Sequence, residues 1–449
     1  MNKSPLNWQE QEAPRYTSYP PAIHFSSATN RDEHTKWLQA IQPGTRVSFY
    51  VHVPFCKKLC WFCGCHTKIT QDEHKVSDYA ALLLQEMTLL KQLIPSNALL
   101  HSVHFGGGSP NMLSTVDLTE IMNGMKTLCS SHSLEELAIE LDPRTTSYAQ
   151  VQTFASLGFN RVSLGIQDFD PMVQEAIHRI QPFSMVSSLI DELYRVNLND
   201  INFDLIYGLP LQTPTRFKDT IDKVIELSPS RIALFSYAHL PHLKKHQQMI
   251  DSKSLPSPTE KLALYHLACQ QLNAQGYTTI GIDHFAKNTD SLSLALHEHT
   301  LGRNFQGYVA NPPEVLIGIG ASSISQFPEG YLQNKVSLTE YRNAIQKNTL
   351  ASLRGWTFTR EDLIRKKIID ALMCYMAVDL DKICHNFGLC PTYFQEEITH
   401  LNQTPYCDIA EVKNNRIQIT TEDRMAVRLI AAVFDPRHRA NSGRCSIVN

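Results

Sequence analysis

Between residues 45 and 240, short apolar, β-branched runs alternate with segments whose apolar residues recur at helical spacing. Val47–Val53, Leu100–Phe105, Leu137–Leu141, Arg161–Ile166, Ile201–Tyr207 and Arg231–Tyr237 read as strands. Between them, Ser77–Leu93 carries helical periodicity, Ser114-Thr-Val-Asp117 has the pattern of a capping box, and Pro214–Leu227 opens on a proline, which suits a first helical turn. Single strands alternating with single helices imply a parallel sheet, because parallel neighbours need a crossover. Six such units can curve into an incomplete barrel, and an open doubly wound sheet is the rival.

Outside this core, Tyr277–Ile282 and Val315–Ile324 add two strand-like runs, with a helical stretch, Ser257–Gly276, between them. From Trp356 the pattern turns helical (Arg360–Ala377, Thr421–Phe434) around a short strand, Arg416–Thr420, which predicts a small helical or winged-helix domain. The division expected is an N-terminal arm without strong periodicity (1–44), a barrel core (45–240), a barrel extension (241–350) and a mainly helical C-terminal domain (351–449). At 449 residues, two or three domains are expected.

Composition adds exclusions. With 43% hydrophobic and 19% charged residues the chain is an ordinary globular one. A net charge of -3 gives no general attraction for nucleic acid or an anionic membrane, so the expected partner is a small molecule. The first residues, MNKSPLNWQEQEAPRYTSYPP, hold no apolar signal-peptide core, and no run of about 18 apolar residues occurs, so a cytoplasmic location is expected. Of 11 Cys, four crowd into Cys56–Cys65. In a long reducing-compartment chain such crowding reads as ligands rather than disulfides.

The crowded segment, Tyr50-Val-His-Val-Pro-Phe-Cys56-Lys-Lys-Leu-Cys60-Trp-Phe-Cys63-Gly-Cys65, follows the first strand directly with spacing C-x3-C-x2-C. Three thiolates on one short loop can ligate three irons of a cubane cluster and leave the fourth open. An open iron can chelate the amino and carboxylate groups of S-adenosylmethionine (SAM), whose reductive cleavage yields a 5′-deoxyadenosyl radical. A structural zinc knuckle is the alternative, although zinc sites usually pair two separated C-x2-C hairpins.

The segment resembles the radical SAM superfamily signature. More closely, the chain resembles the oxygen-independent coproporphyrinogen III oxidase family, through Pro14-Arg-Tyr-Thr-Ser-Tyr-Pro20, the cysteine segment, His104-Phe-Gly-Gly-Gly-Ser-Pro110, Glu140-Leu-Asp-Pro-Arg144, Gly165-Ile-Gln-Asp168, Asp204-Leu-Ile-Tyr-Gly-Leu-Pro210 and Asn304-Phe-Gln-Gly-Tyr308. The resemblance implies an α/β fold, an incomplete (β/α)6 barrel with a C-terminal domain. It implies oxidative decarboxylation of two propionates of coproporphyrinogen III to vinyl groups, giving protoporphyrinogen IX in haem biosynthesis. It implies one 4Fe-4S cluster and two SAM molecules as cofactors, an unidentified electron donor and acceptor, and a monomer. Relatives with similar cores that bind haem as chaperones, or modify haem, set the alternative functions; the arm at Pro14–Pro20 and Cys65 favour the oxidase.

Residue by residue, the resemblance puts Cys56, Cys60 and Cys63 on the cluster and leaves Cys65 a non-ligand. It places Tyr50, Phe62, Gly107, Gly108, Ser109, Glu140, Gln167, Arg179, Asp204, Ala238 and Ile324 at SAM, with no catalytic residue assigned. Taken singly, each has a plainer reading: a bare glycine turn at Gly106–Gly108, a solvated Glu140, a helix cap at Gln167 and Asp168, a surface ion pair at Arg179. Asp204, inside an apolar strand, needs a partner. Ser109 stands where the family usually has Thr, Trp61 where Tyr is common, and the tail Asp435–Asn449 departs from the family. Four propionates call for guanidinium partners, for which Arg15 and Arg303 are candidates.

Overall fold

The computed structural model describes residues 11–130, 134–440 and 446–447. The chain forms two compact units, one of Phe25–Ser257 with Pro313–Thr357, the other of Met1–His24, Pro258–Pro312 and Phe358–Asn449.

In the first unit the elements run α1 (Arg31–Gln39), β1 (Arg46–Val53), α2 (Glu73–Lys91), β2 (Leu99–Gly107), α3 (Thr115–Met125), β3 (Glu136–Leu141), α4 (Tyr148–Leu157), β4 (Arg161–Gln167), α5 (Pro171–Ala176), α6 (Phe183–Arg195), β5 (Asp200–Tyr207), α7 (Pro214–Leu227) and β6 (Arg231–Ser236). Strands β1 to β6 lie side by side in chain order, every pair parallel. This is the strand order of an incomplete (β/α)6 barrel, with β1 and β6 not paired to each other. On the free side of β1 four strands follow: β7 (Val315–Ile319), parallel to β1, then β8 (Ile324–Phe327), β9 (Gly330–Asn334) and β10 (Ser352–Thr357), all antiparallel.

The two strand faces differ in chemistry. Phe49, Val51, Val103, Phe105, Leu137, Ile139, Val162, Leu164, Phe203 and Leu205 are buried apolar positions. The alternate positions are Tyr50, His52, His104, Glu140, Ser163, Asn202 and Asp204. Because side chains alternate along a strand, one face is a dry seam and the other a polar lining.

Several local features follow the sequence reading. Helix α7 spans the expected residues, and Ser114 Oγ accepts from Asp117 N at 3.0 Å while donating to its carboxylate at 2.7 Å. Three readings change. Helix α1 lies where no periodicity was expected: Asn30 caps it, but only His34, Trp37 and Leu38 are buried. The run Val315–Ile324 is two strands, because Gly320 and Ser322 turn the chain at positive φ. Thr421–Phe434 is helical only from Val427 to Val433, after a short 3-10 turn at Arg424–Ala426.

In the second unit, Pro258–Ala274, Arg360–Tyr375, Leu380–Phe387, Gln395–Leu401 and Val427–Val433 are helices, joined by the antiparallel sheet Ala377–Asp379, Arg416–Ile419 and Ala410–Lys413. The segment from Ala13 to Tyr19 is fixed there by polar contacts rather than by a periodic apolar face. Arg428, 1% exposed, donates to the carbonyls of Ala13 and Pro14; Tyr16 donates to Asp435, and Arg437 to the Tyr19 hydroxyl. Of the tail Asp435–Asn449, residues 441–445 and 448–449 lie outside the described residues, as do residues 1–10 of the N-terminal segment. Among the described residues no helix is long and apolar enough to cross a membrane.

Candidate active site

The cysteine loop leaves β1 and is closed at its base. Phe55–Cys56 pairs with Lys68–Ile69, with Thr70 N on Cys56 O at 3.0 Å, so the intervening residues form one pinched loop. Two flanking segments hold its backbone. After α5, Ile177 O accepts from Trp61 N at 3.0 Å, and the His178 ring stacks on Trp61 with centroids 5.2 Å apart. After β6, Gln247 donates to Phe62 O at 3.1 Å and His246 is bonded to Cys63 O at 2.7 Å. Phe62 and Trp61 pack on the buried cluster Val173, Ile177, Leu209, Tyr237 and Ile250. The loop is therefore positioned before any ligand arrives, which is what a site with three converging thiols requires.

Facing the loop is the glycine segment at the end of β2. Gly108 N donates to Val53 O and Ser109 N to Phe55 O, both at 2.8 Å, so the two strand ends are laced together. A Cβ on Gly108 would stand 2.6 Å from Phe55 O, and one on Gly106 would stand 2.6 Å from the Glu140 carboxylate. Gly108, which meets only backbone atoms there, is required by close approach, whatever else it does. Ser109 Oγ lies 3.5 Å from Cys56 Sγ.

Two charged groups sit at the C-terminal end of β3. Glu140 Oε1 is 3.0 Å from His104 Nε2, and its other oxygen accepts from Gly107 N at 3.1 Å. Burial pushes the Glu140 carboxyl upward, but the hydrogen bond and charge of His104 outweigh it and hold the group below the usual carboxylate range. Burial likewise depresses His104, and Glu140 more than restores it, so His104 titrates above the ordinary histidine range. Both shifts favour the ion pair. Tyr50 stacks on His104 with centroids 5.9 Å apart.

Two residues on, Asp142 accepts from Arg144 Nε at 2.9 Å and from its Nη2 at 2.7 Å, and lies 3.5 Å from Arg179 Nη2. Arg144 Nη2 and Arg179 Nη1 each stand 3.4 Å from Cys60 Sγ. Arg179 also donates to Gly165 O at 2.5 Å, while its Nε is buried with no hydrogen-bond partner. Gln167 closes β4 in the left-handed region, at φ 66, where the strand bulges. Strained backbone of this kind clusters at ligand sites. Asp204 has the partners its burial demands: Ser163 Oγ at 3.0 Å and Asn202 Nδ2 at 2.8 Å.

These groups line one cleft of about 730 Å³ that opens to solvent. It gathers Cys56, Cys60, Cys63 and Cys65 with Phe62, Gly107, Gly108, Ser109, Glu140, Gln167, Arg179 and Asp204. Tyr50, Ala238 and Ile324 are not in its lining. Tyr50 stands behind the glycine segment, Ala238 follows β6 and gives its carbonyl to Gln247, and Ile324 begins β8. Cys56, Cys60 and Cys63 share this cleft on one short loop, the arrangement a cubane cluster's three ligated corners call for.

Sequence reasoning passed over His104, Asp142, Arg144, His246 and Gln247. The first three carried a signal: a charged or polar residue at the end of a buried parallel strand faces the ligand side. His246 and Gln247 belong to a segment without periodicity and had none. In the other unit, Arg303, a candidate for the propionates, donates to Tyr16 O at 2.8 Å and lies 5.1 Å over the Tyr308 ring, while its Nε is buried with no hydrogen-bond partner among the described residues. Arg15 is exposed.

Residues 50–224 match the model of the radical SAM superfamily. The chain is 39% identical over 433 residues to an oxygen-independent coproporphyrinogen III oxidase of Bradyrhizobium diazoefficiens, with 96% of each chain covered. It is 36% identical over 426 residues to the enzyme of the same name from Pseudomonas aeruginosa, covering 94% of this chain and 93% of that one. Among solved structures it is similar to coproporphyrinogen III oxidase from Escherichia coli, described as a radical SAM enzyme, with a TM-score of 0.89, 35% identity, and coverage of 94% and 97%. With cysteine loop, glycine segment and polar strand ends gathered in one cleft, and likeness running over nearly its whole length, this chain belongs to the oxygen-independent coproporphyrinogen III oxidase family of radical SAM enzymes.

Proposed function

We propose that this chain decarboxylates two propionates of coproporphyrinogen III to vinyl groups, in the cytoplasm and as a monomer, with an electron donor and an acceptor still to be identified. The observation that carries the reading is the convergence of Cys56, Cys60 and Cys63 with Glu140, Gln167, Arg179 and Asp204 in one cleft. The donor set fits a 4Fe-4S cluster and SAM: three thiols share the cleft, two guanidinium groups point at one of them, and Arg179 Nε is a buried donor without a partner. When bound, the cluster supplies the electron that cleaves SAM to a radical able to take hydrogen from a propionate β-carbon.

The chain's own residues do the holding. Cys56, Cys60 and Cys63 would bind three irons of the cluster. Gly107 and Gly108, bare backbone in the cleft lining, would let the ligand's methionine portion approach closely. Glu140, kept ionised by His104, suits an ammonium or a ribose hydroxyl, and Arg179 a carboxylate. Asp204 and Gln167 line the same cleft and would be available to a second SAM. Phe62 would give apolar surface within the cleft, whereas Tyr50, Ala238 and Ile324, outside its lining, are put at SAM by the family resemblance alone. Cys65 lines the cleft without ligating. Anaerobic incubation of reduced enzyme with SAM and coproporphyrinogen III tests the reading: harderoporphyrinogen followed by protoporphyrinogen IX is expected. SAM cleavage with no vinyl product would overturn it.

A further inference from the structure

Arg144 lines the cleft and is held there by several hydrogen bonds. It sits on the turn directly after β3, where its own N–H donates to Asp142 Oδ1 at 3.1 Å. Its guanidinium then takes both oxygens of the same carboxylate, Nε to Oδ1 at 2.9 Å and Nη2 to Oδ2 at 2.7 Å. Asp142 is anchored in turn, its N–H on Asn111 Oδ1 at 3.3 Å. The side chains of Arg144 and Asp142 are 11% and 8% exposed, so this fork is held out of water. A planar guanidinium tied at two nitrogens keeps its remaining N–H groups in fixed directions. One of them points at Cys60 Sγ, 3.4 Å away. Arg179 reaches the same sulfur at the same distance from the other side, and the two arginines share Asp142. Two guanidinium groups against one carboxylate leave net positive charge beside one ligand sulfur, while the hydrogen bond to Cys56 comes from the neutral Ser109 hydroxyl.

We propose that Arg144 sets the reduction potential of the cluster through its N–H···S contact with Cys60. This rests on Cys60 being a cluster ligand, as proposed above. Reduction of the cluster from its 2+ to its 1+ state takes one electron from a low-potential donor and moves no proton. The added negative charge spreads onto the ligand sulfurs. A fixed cationic donor at a sulfur therefore stabilises the reduced form more than the oxidised one and raises the potential. Arg179, which also reaches Cys60, keeps a buried Nε without a hydrogen-bond partner among the described residues, whereas Arg144 has Asp142 and Cys60 as its partners.

The test is a potentiometric titration of the reconstituted holoenzyme without SAM, followed by electron paramagnetic resonance, on wild type, Arg144→Gln and Arg144→Lys, with iron and sulfide counted in each. Arg144→Gln is expected to keep the cluster and to lower the equilibrium constant for reduction about tenfold, a shift of about 59 mV to lower potential for one electron. Arg144→Lys, which keeps the charge and loses the fork, is expected to fall between the two. An unchanged midpoint in Arg144→Gln overturns the proposal. If that variant does not assemble, Arg144→Lys decides, a lower midpoint supporting the proposal and an unchanged one overturning it. The ligand reading is tested separately, since a Cys60→Ala protein that holds a full cluster refutes it whatever Arg144 does.

Discussion

Adding one methyl group at Gly108 tests how the cysteine loop is aimed. A Cβ there would lie 2.6 Å from Phe55 O, 2.9 Å from Phe55 N and 2.9 Å from Val53 O, all of them backbone atoms that no rotamer change can move. Restoring ordinary C···O contact near ~3.3 Å would part the β1 and β2 ends by roughly 0.7 Å. The separation must break or lengthen the 2.8 Å bonds from Gly108 N to Val53 O and from Ser109 N to Phe55 O. Cys56 follows Phe55 directly and shares its short pairing with Lys68–Ile69, so the first thiol moves with the strand end. Overpacking of this kind costs about 1–3 kcal/mol of stability, and misplacing reacting groups by up to 1 Å costs on the order of 100-fold in rate. Gly108→Ala should therefore stay folded but cleave SAM about 100-fold more slowly, with reduced iron content. The control lies in the same loop, since a Cβ on Gly64 meets nothing within 4 Å and Gly64→Ala should behave as wild type. The assay is anaerobic 5′-deoxyadenosine formation with iron and sulfide counted per chain. Wild-type rate and iron content in Gly108→Ala would refute the reasoning.

Three further outcomes follow from the same geometry. Glu86, 2% exposed, accepts from Tyr341 at 2.6 Å, Asn334 at 2.7 Å and Gly320 N at 2.7 Å, joining α2 to the segment after β7, so Glu86→Ala should lower stability by about 3 kcal/mol in urea unfolding. Burial raises the Glu86 carboxyl above its ordinary value, so what it contributes is fullest below the unfolded value and is lost as pH rises through the folded one; the deficit of Glu86→Gln should narrow from acid toward neutral pH. His104 is shifted up and Glu140 down, so their pair is intact between the two titrations and is lost on the alkaline side as His104 deprotonates; calorimetry should show SAM binding to the holoenzyme weaken there, and His104→Gln should bind about tenfold more weakly and lose that pH dependence.

Much of the barrel was legible because its strands are buried on both edges and one face, leaving apolar runs that no amphipathic helix would carry. The site was legible where chemistry is concentrated in one stretch, as in Cys56–Cys63 and Gly106–Ser109. It was less legible where a single polar residue interrupts an apolar strand end. His104, Asp142 and Arg144 act by pairing with groups that only the sheet brings near, 36 residues apart for His104 and Glu140 and 84 for Arg144 and Cys60. Helix α1 escaped because most of its residues face solvent, and only the Asn30 cap marks its start. The arm near Tyr16 and Tyr19 has no periodicity to read, since Arg428 and Arg437, distant in sequence, hold two of its carbonyls and the Tyr19 hydroxyl.

Three thiolates of one loop are proposed to hold a cluster with an iron left open for SAM. Electron paramagnetic resonance of the reduced holoenzyme, recorded with and without SAM for wild type and for Cys56→Ala, Cys60→Ala, Cys63→Ala and Cys65→Ala, tests it directly. The account predicts a cluster signal that changes on adding SAM in wild type and in Cys65→Ala, and loss of that signal in the other three. A signal indifferent to SAM in the wild type, or a cluster that needs Cys65 and survives without Cys60, would contradict it.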